Sequence, residues 1–525
     1  ILVIVLMKKV LQKIGGHKNF EQWCFALFIA CVHLLIFGYR FNSGDQAEHL
    51  PQVYQKLDPS LFPNDFFLVN YNQTFTVRFY WVEMVTLFSR MVPVSVVCFS
   101  LYFITLVLTV SAWIKIAAYF SDNKTASYLS VFLIFILFNN FTVGGNSIQG
   151  NIFISSNSAE LFASFGILFF LRKKTIYAAL FFALASLFQV LVGFQLWIIF
   201  FIVLFFSERK TPWLKTFLFG LVYLSSSLPI LFPVIQKQFL ANAVYDSSLY
   251  YRSVYVFRSY LHFKPSLFPT GDYIKLLLIF LPAVFFTIRN KLIEKRIIII
   301  IFITIIFGAL VYTLLLEGFE MNSIGKIQWF KTTVWLNAFC CIILCKWLSE
   351  YFSKQAAMFS FNPFYLLLLS ILIVLTVSNS RYLPGEKLSH RYQFGNYPKT
   401  DLQIVHEWIR NNTSKDAMFL VSPMNDAFAC EAQRPQPVNF KAVIHEPFYF
   451  ALWYKRMQDY YHVNFDKVGN NPALFQAEYN FQHDRSLPPG NIVKYRLDNL
   501  KECKFADRLG PAIFQSGNWI VTKIN

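Results

Sequence analysis

Long apolar runs separated by short polar loops dominate the first 378 residues of the chain. Runs such as 93–112, 178–206, 297–316 and 363–377 reach or approach the roughly 20 residues that cross about 30 Å of hydrocarbon as a helix. This pattern predicts about eleven transmembrane helices. They are expected at about 22–39, 93–119, 126–138 and 159–171, twice within 176–206, and at about 214–235, 273–288, 297–316, 332–348 and 361–377.

The run 176–206 is too long for one helix and carries Gln189, Gly193 and Gln195 near its middle. Backbone and amide groups at membrane depth need partners within the protein. We therefore expect two helices joined by a tight turn. The run 1–7, in contrast, is too short to span and has no small-residue cleavage site after it, so it is expected to be a cytoplasmic or interfacial leader.

Basic residues are distributed unequally between the loops. The loop at Arg172-Lys173-Lys174 is strongly basic, whereas residues 139–157 and the turn near Gln189 hold no charged residue. Because cytoplasmic loops carry an excess of Lys and Arg, one orientation satisfies all the loops, with a cytoplasmic N-terminus. An odd number of spans then places the loop 40–92 and residues 379–525 together on the extracytoplasmic face.

Residues 379–525 are polar and mixed in composition, which indicates a small soluble α/β domain. Thr400-Asp-Leu-Gln403 is a capping box that predicts a helix to about residue 411. A strand is expected at 417–421, an aromatic-rich helix at 446–462, and a terminal hairpin within 512–524. The predicted fold class is an α-helical polytopic membrane protein, residues 1–378, with this domain attached.

Composition and charge narrow the range of functions. The chain is 56% hydrophobic and only 14% charged, with mean hydropathy +0.44 and a net charge of +18. Much of the basic excess lies in short loops between apolar runs, so a nucleic-acid partner is excluded. No pair of the eight cysteines has zinc-ligand spacing. Cys430 and Cys503 could form a disulfide in an oxidising compartment, which the sequence leaves open.

Acidic residues are scarce, and several lie in the loop that follows the first predicted span, at about 22–39. Asp45 and Glu48 are three positions apart, with His49 next to them, and Asp65 lies further along. If the segment is helical, both carboxylates share one face, which could hold a divalent cation or take a proton from a hydroxyl. The alternative is a solvated loop with a capped helix. Residues 75–91 mix aromatics with charges, as an interfacial helix would.

Cations and polar groups in other predicted outside loops could bind an anion. Arg252, Arg258, Lys326 and Lys331 could hold a lipid phosphate, with Gln328 beside Lys331. The alternative is a set of interfacial anchors with aromatic neighbours. His262 lies between Arg258 and Lys264, and Glu160 is near the outer end of the fourth span. Glu160 either lines the same cavity as Asp45 or reaches interfacial water.

Other ionisable residues have simpler expected roles. His33 in the first span is expected to be neutral and bonded to a neighbouring helix. Arg434, Lys441 and Arg456 in the tail could reach over the cavity or be surface charges, and the surface is the default expectation. The chain contains no phosphate-binding Gly-rich loop, zinc signature or nucleophile elbow, which argues against a soluble nucleotide-sugar fold.

Short motifs along the chain resemble the membrane glycosyltransferases of the GT-C superfamily, especially a bacterial group with an extracytoplasmic C-terminal domain. The motifs are Gly44-Asp45-Gln46, His49-Leu-Pro51, Asp58-Pro-Ser-Leu-Phe-Pro, Gln328-Trp-Phe-Lys331, Trp408-Ile-Arg410, Asn439-Phe-Lys441 and Trp453-Tyr-Lys-Arg456. The resemblance implies a donor sugar on polyprenyl phosphate, an inverting transfer, and Asp45 as general base or metal-binding acid. No adjacent acidic pair occurs in the loop, so metal dependence stays open, and Lys331 stands where the resemblance leads us to expect arginine.

The leading hypothesis is therefore a glycosyltransferase of the bacterial inner membrane that acts on a glycan, lipid or protein acceptor. Asp45 would activate the acceptor hydroxyl, while Glu48 and His49 orient it and Asp45 and Glu48 are the candidate metal ligands. The further substrate-binding candidates are Asp65, Glu160, Arg252, Arg258, His262, Gln328 and Lys331.

Two alternatives remain at this point. A transporter or flippase for a lipid-linked or anionic substrate would need intramembrane charges and related halves. The only internal echo is Pro-Ser-Leu-Phe-Pro, at 59–63 and 265–269. The third class is a structural envelope protein whose tail binds a partner.

Overall fold

The computed structural model describes residues 18–207, 212–236, 247–289, 295–355, 392–395, 399–468, 473–484 and 486–524. Within these ranges the chain is mostly helical, with a four-stranded sheet near its C-terminal end. The predicted span at 361–377, the run 1–7 and the boundary between 378 and 379 lie outside the described residues.

Seven of the described helical segments are long and apolar enough to cross a membrane. They are Phe20–Phe37, Val94–Phe120, Val190–Ser207, Trp213–Ile235, Thr270–Arg289, Lys295–Gly318 and Asn322–Tyr351. The protein is therefore a membrane protein by the length and composition of its helices. The predicted spans at about 126–138 and 176–188 are the shorter apolar helices Lys124–Leu137 and Thr175–Phe188. The described residues thus supply seven candidate spans, which does not establish the predicted eleven.

The α-helices are numbered here in chain order. They are α1 (Lys18–Phe37), α2 (Gln46–Leu57), α3 (Phe66–Asn72), α4 (Phe79–Ser89), α5 (Val94–Phe120), α6 (Lys124–Phe132), α7 (Ser155–Leu171), α8 (Thr175–Phe188), α9 (Val190–Ser207), α10 (Pro212–Ile235), α11 (Ser247–Tyr251), α12 (Tyr260–Phe263), α13 (Thr270–Arg289), α14 (Lys295–Thr313), α15 (Thr333–Gln355), α16 (Asp401–Asn412), α17 (Phe428–Glu431), α18 (Pro447–Tyr461), α19 (Phe465–Val468) and α20 (Ala473–His483).

The strands are β1 (Tyr39–Arg40), β2 (Tyr392–Gln393), β3 (Phe419–Val421), β4 (Tyr495–Asn499), β5 (Ala512–Ser516) and β6 (Trp519–Lys523). The four-stranded sheet has the order β3-β4-β6-β5, with β3 parallel to β4 and the other neighbours antiparallel. The predicted terminal hairpin is confirmed as β5 and β6. The capping box is also confirmed at the start of α16. The Thr400 side chain accepts from the Gln403 backbone N–H, and the Gln403 side chain accepts from the Thr400 backbone N–H. The strand β4 and the helix α20 are missing from the sequence prediction.

The long apolar run divides at Gln189 into α8 and α9, as predicted. The two helices approach closely at Gly193, where an added Cβ would lie 2.3 Å from the Phe182 carbonyl oxygen. The Gln195 side-chain amide donates to the carbonyl oxygens of Ile327 at 2.7 Å and Gln328 at 3.1 Å. The polar groups in this run therefore have partners within the protein, which fixes the segment that precedes Lys331.

A single large hydrophobic core joins the helical module to much of the C-terminal region. Fully buried aromatic side chains contribute to it from both, among them Trp81, Trp113 and Trp453. A smaller core lies between α16 and the sheet, around Val405 and Phe419. Residues 418–465 thus pack against the module through apolar contact, which holds the C-terminal loops in place over the loop 40–92.

Candidate functional site

Asp45 lies at the start of α2, in a turn that requires a glycine. Gly44 has φ of +56°, and a Cβ on it would lie 2.8 Å from a methyl carbon of Ile152. The Asp45 side chain is 49% exposed, and its Oδ1 lies 2.7 Å from Nζ of Lys441. The carboxylate is therefore partly open to solvent and faces a cation that comes from the C-terminal region. We refer to the space beside Asp45 and Lys441 as the recess.

The cations around Asp45 determine its protonation. Withdrawal from water opposes ionisation, but the Lys441 ammonium, which is also its hydrogen-bond donor, outweighs this effect. Arg258 adds further positive potential, and the pKa of Asp45 lies well below its usual range. Asp45 is therefore a carboxylate at neutral pH, and in this arrangement it is a weak base.

Glu48 does not share the recess with Asp45. Its side chain is buried, and its two oxygens bind different guanidinium groups, Oε2 that of Arg78 and Oε1 that of Arg258 at 2.7 Å. Arg258 also donates to the Lys441 carbonyl oxygen at 2.6 Å, and Arg78 donates to that of Val443 at 3.4 Å. Glu48 thus connects three distant segments. Orientation of an acceptor is not available to it, because both of its oxygens are engaged.

A metal ion shared by Asp45 and Glu48 does not fit this geometry. Each carboxylate is already neutralised by a cation. Among the described residues, no group of three or more His, Cys, Asp or Glu side chains could hold a metal ion. The site within these residues consists of a carboxylate and cations, a combination that suits an anion bound beside a hydroxyl group.

Two histidines near Asp45 are neutral. His49 bonds through Nδ1 to the Asp45 carbonyl oxygen and packs edge-on against Trp81, and burial lowers the pKa of His49. His262 donates from Nδ1 to the Gly144 carbonyl oxygen at 2.8 Å. Burial, assisted by the Lys331 charge, lowers the pKa of His262 to about 4. The Nε2 of each neutral ring is unprotonated and can accept a hydrogen bond, but that of His49 is enclosed and has no partner among the described residues.

Lys331 and Glu160 also lie near Asp45. Glu160 is buried, and its carboxylate interacts electrostatically with Lys331, which also interacts with Asp45. Gln328, with φ of +46°, makes a left-handed turn just before the short 3-10 helix Trp329–Thr332 that carries Lys331. The structure therefore brings Asp45, Lys331 and Glu160 together, although each comes from a different part of the chain.

The uncharged segment 139–153 supports the site, whereas its sequence was used only to assign the orientation of the loops. Val143 exchanges hydrogen bonds through its backbone with the Thr333 hydroxyl, at 3.0 and 2.9 Å. Gly144, with φ of +88°, holds His262 through its carbonyl oxygen. The segment is thus packed inside the protein. The signal in the sequence is its lack of charge together with its Gly and Asn content, which a solvated loop does not require.

Lys441 contacts Asp45, which agrees with the alternative that it reaches over the site and not with the default expectation of a surface charge. It lies on an irregular loop whose bend is held by Asn439, which accepts from the backbone N–H groups of Lys441 at 2.6 Å and Ala442 at 2.8 Å. Trp453 donates to the Asn439 carbonyl oxygen at 2.9 Å. Neighbouring His445 has a pKa far below its usual value because of burial and the charges of Arg78, Arg258 and Lys331. The signal for this lysine in the sequence is the short motif Asn439-Phe-Lys441, since its charge and hydropathy do not distinguish it from exposed lysines.

Two predicted substrate contacts lie in other environments. Arg252 pairs with Asp466 of the C-terminal region at 3.0 Å, and both side chains are substantially exposed. Asp65 caps α3 by accepting from the Leu68 N–H at 3.1 Å and holds the tail by accepting from the Gln436 N–H at 3.2 Å. Since backbone donors take both of its oxygens, Asp65 is a structural residue here.

The remaining tail cations and His33 are also structural. Arg434 is buried and donates to the carbonyl oxygens of Arg410 and Thr413, each at 2.6 Å, so it is not a surface charge. Arg456 lies 4.4 Å from the Phe66 ring centroid. Contrary to the prediction, neither nitrogen of buried His33 has a hydrogen-bond partner among the described residues.

The structure shows no disulfide between the two cysteines of the C-terminal region. Cys430 and Cys503 are both free thiols and both buried. Cys430 lies 3.7 Å from the Gln46 carbonyl oxygen, at the contact between α17 and α2. It therefore contributes to packing of the C-terminal region on the loop 40–92.

The fold and the site define a polytopic membrane protein whose C-terminal region completes a charged recess over the loop 40–92. Within that region, residues 400–460 match the family described as Domain of unknown function (DUF6798). The match includes Lys441 and Trp453 but covers only a small part of the chain. No curated protein matches the chain.

Proposed function

We propose that this protein is a membrane glycosyltransferase that moves a sugar from a polyprenyl-phosphate donor to an acceptor hydroxyl. One observation carries the proposal: the half-exposed carboxylate of Asp45 faces the Lys441 ammonium and lies in the field of Arg258 and Lys331. A transfer of this kind needs a proton acceptor for the hydroxyl and positive charge for the departing phosphate. The recess contains both.

The chemistry assigns a distinct task to each group. The acceptor hydroxyl gives its proton to Asp45 while its oxygen forms a bond to the anomeric carbon, and the bond from that carbon to the lipid-phosphate oxygen breaks with its electron pair. Because the pKa of Asp45 is low, proton transfer accompanies bond formation rather than preceding it. The main contribution is stabilisation of the leaving phosphate by fixed cations, which need little reorganisation.

Glu48 acts on this site through the arginines. It fixes Arg258, whose guanidinium would otherwise be repelled by Arg78. His262 is a neutral acceptor that contacts a hydroxyl group of the sugar or the acceptor, whereas buried His49 supports the turn at Asp45 through its bond to the Asp45 carbonyl oxygen. We place the recess on the extracytoplasmic side of a bacterial inner membrane, with a cytoplasmic N-terminus, because the basic loops favour that orientation.

The test uses the purified full chain in lipid, with a radiolabelled polyprenyl-phosphate sugar and a panel of hydroxyl acceptors. We expect transfer by the wild type and at least about a 100-fold loss in Asp45→Asn, since a positioned proton acceptor contributes that much or more. Asp416→Asn, which removes an exposed carboxylate paired with Lys494, is the matched control and should retain transfer.

Two outcomes would reject the proposal. Transfer at wild-type rates by Asp45→Asn would remove Asp45 from the reaction. Movement of the intact lipid-linked sugar across vesicles, with no bond cleavage in any acceptor mixture, would instead assign the chain to the transporters.

A further inference from the structure

Lys441 differs from Arg78 and Arg258 in how it is held. Arg78 and Arg258 are both bound to the buried carboxylate of Glu48. The Lys441 side chain is 30% exposed, and its ion-pair partner Asp45 is itself half exposed. An ammonium on a flexible four-carbon stem exchanges partners more readily than a guanidinium fixed by two bonds.

The backbone under Lys441 is rigid, so only its side chain is free to move. Its N–H donates to Asn439, and its carbonyl oxygen accepts from Arg258 at 2.6 Å. Asn439 is in turn held by Trp453. The loop thus delivers the ammonium to a fixed place beside Asp45, from which it reaches an anion that enters the recess.

We infer that Lys441 is a shared cation that pairs with Asp45 in the empty site and moves to the phosphate of the incoming donor. This inference rests on the proposed function, because it names the group that binds the donor phosphate in that site. The exchange has two consequences. Phosphate binding releases the Asp45 carboxylate, which then accepts a hydroxyl proton, and Asp45 competes with phosphate for the lysine.

The competition predicts effects of opposite sign from the two partners. Removal of the Lys441 charge should weaken phosphate binding, whereas removal of the Asp45 charge should strengthen it, because the lysine no longer has a competing anion. When both residues are replaced, the gain in phosphate affinity from loss of the Asp45 charge should vanish, since Lys441, which produces the gain, is absent. A merely structural ion pair would not give this pattern.

The experiment measures binding of a polyprenyl phosphate to the full chain in bicelles, with the matching polyprenol as the neutral control ligand. We expect Lys441→Met to weaken binding of the phosphate about tenfold and Asp45→Asn to tighten it about two- to fivefold. Lys441→Arg should retain most of the affinity. Lys494→Met and Asp416→Asn, the exposed pair of the same region, serve as controls and should leave binding unchanged.

Each outcome decides a separate point. Failure of Asp45→Asn to tighten binding, or equal effects on phosphate and polyprenol, overturns the shared-cation inference even if the wild type transfers sugar. If inorganic phosphate gives the opposite-sign pattern and polyprenyl phosphate does not bind, the exchange stands and the proposed lipid-linked donor is wrong. If no phosphate compound binds the wild type, the inference is overturned.

Discussion

Glu48 and Arg258 are 210 positions apart in the chain, yet their charged groups meet at 2.7 Å inside the protein. The second oxygen of Glu48 binds Arg78, so one carboxylate holds two guanidinium groups. Through the carbonyl oxygen of Lys441, Arg258 also holds the loop that supplies the cation facing Asp45. The shape of the recess therefore depends on a buried residue that does not line it.

Glu48→Gln should destabilise the folded protein strongly. The amide leaves Arg78 and Arg258 buried without a compensating charge, and breaking a buried ion pair on one side costs about 3–5 kcal/mol. Thermal unfolding in detergent would measure the loss. Glu83→Gln, which breaks the exposed pair with Lys56, is the control and should cost less than about 1 kcal/mol. Equal shifts in the two variants would contradict a central role for Glu48.

Gly308→Ala should disturb the segment that carries Lys331. A Cβ at position 308 would lie 2.2 Å from Nε1 of Trp329, the atom that donates to the Ile305 carbonyl oxygen at 3.0 Å. Overpacking of this kind costs about 1–3 kcal/mol, and the displaced tryptophan would shift Lys331, so phosphate binding should weaken together with stability.

The control for Gly308→Ala is Gly271→Ala in α13. A Cβ added to Gly271 would have no heavy atom of another described residue within 4 Å, apart from its chain neighbours and the backbone of its own helix. We expect this variant to be neutral or slightly stabilising, since alanine restricts the unfolded chain. Unfolding temperature and phosphate affinity would be measured for both variants. Equal changes in Gly308→Ala and Gly271→Ala would show that Trp329 does not position Lys331.

The stability of the protein should depend on pH through Asp65. Burial raises the pKa of Asp65 to about 6 from an ordinary value of 3.8, although backbone N–H groups of Leu68 and Gln436 oppose the shift. Between about pH 4 and pH 6 the unfolded chain therefore loses this proton while the folded protein keeps it. The contribution of Asp65 to the free energy of unfolding therefore falls as pH rises through that window, by at most about 3 kcal/mol.

Asp65→Asn should abolish this dependence. Unfolding measured from pH 4 to pH 7 should show the wild type losing stability relative to the variant as pH rises. Hydrogen bonds from Ser414 and Lys494 lower the pKa of Asp416, so the contribution of Asp416 to stability changes only below about pH 4, and the control Asp416→Asn should keep the wild-type slope between pH 4 and pH 7. Parallel curves for wild type and Asp65→Asn would contradict the assignment.

Patterns that repeat over a few residues predicted much of the fold. The capping box at Thr400 and Gln403 predicts a helix start, and α16 begins at Asp401. The polar residues near Gln189 predict the division of the long apolar run. In these places the chain's own local hydrogen bonds and apolar period decide the structure, so the sequence contains the necessary information.

The site could be predicted only in part, because distant contacts select its members. The scarcity of acids singles out Asp45, but nothing local separates Arg78 from Glu83 in the same aromatic segment. Arg78 is buried and forms an ion pair with Glu48, whereas Glu83 is half exposed and pairs with Lys56. Lys441 belongs to the short motif Asn439-Phe-Lys441, but its contact with Asp45 arises only when the fold brings the two loops together.

Arg252 and Arg258 offer a direct comparison, because the sequence predicts the same phosphate-binding role for both. Arg258 is bound to Glu48 beside Asp45, whereas Arg252 pairs with Asp466, whose side chain is 82% exposed. Arg258→Ala should therefore reduce sugar transfer at least about 100-fold, while Arg252→Ala should change it less than about threefold. Steady-state kinetics on folded protein, verified by its unfolding temperature, would measure both. A loss of similar size in Arg252→Ala would place the phosphate near Asp466 and move the donor site away from Asp45.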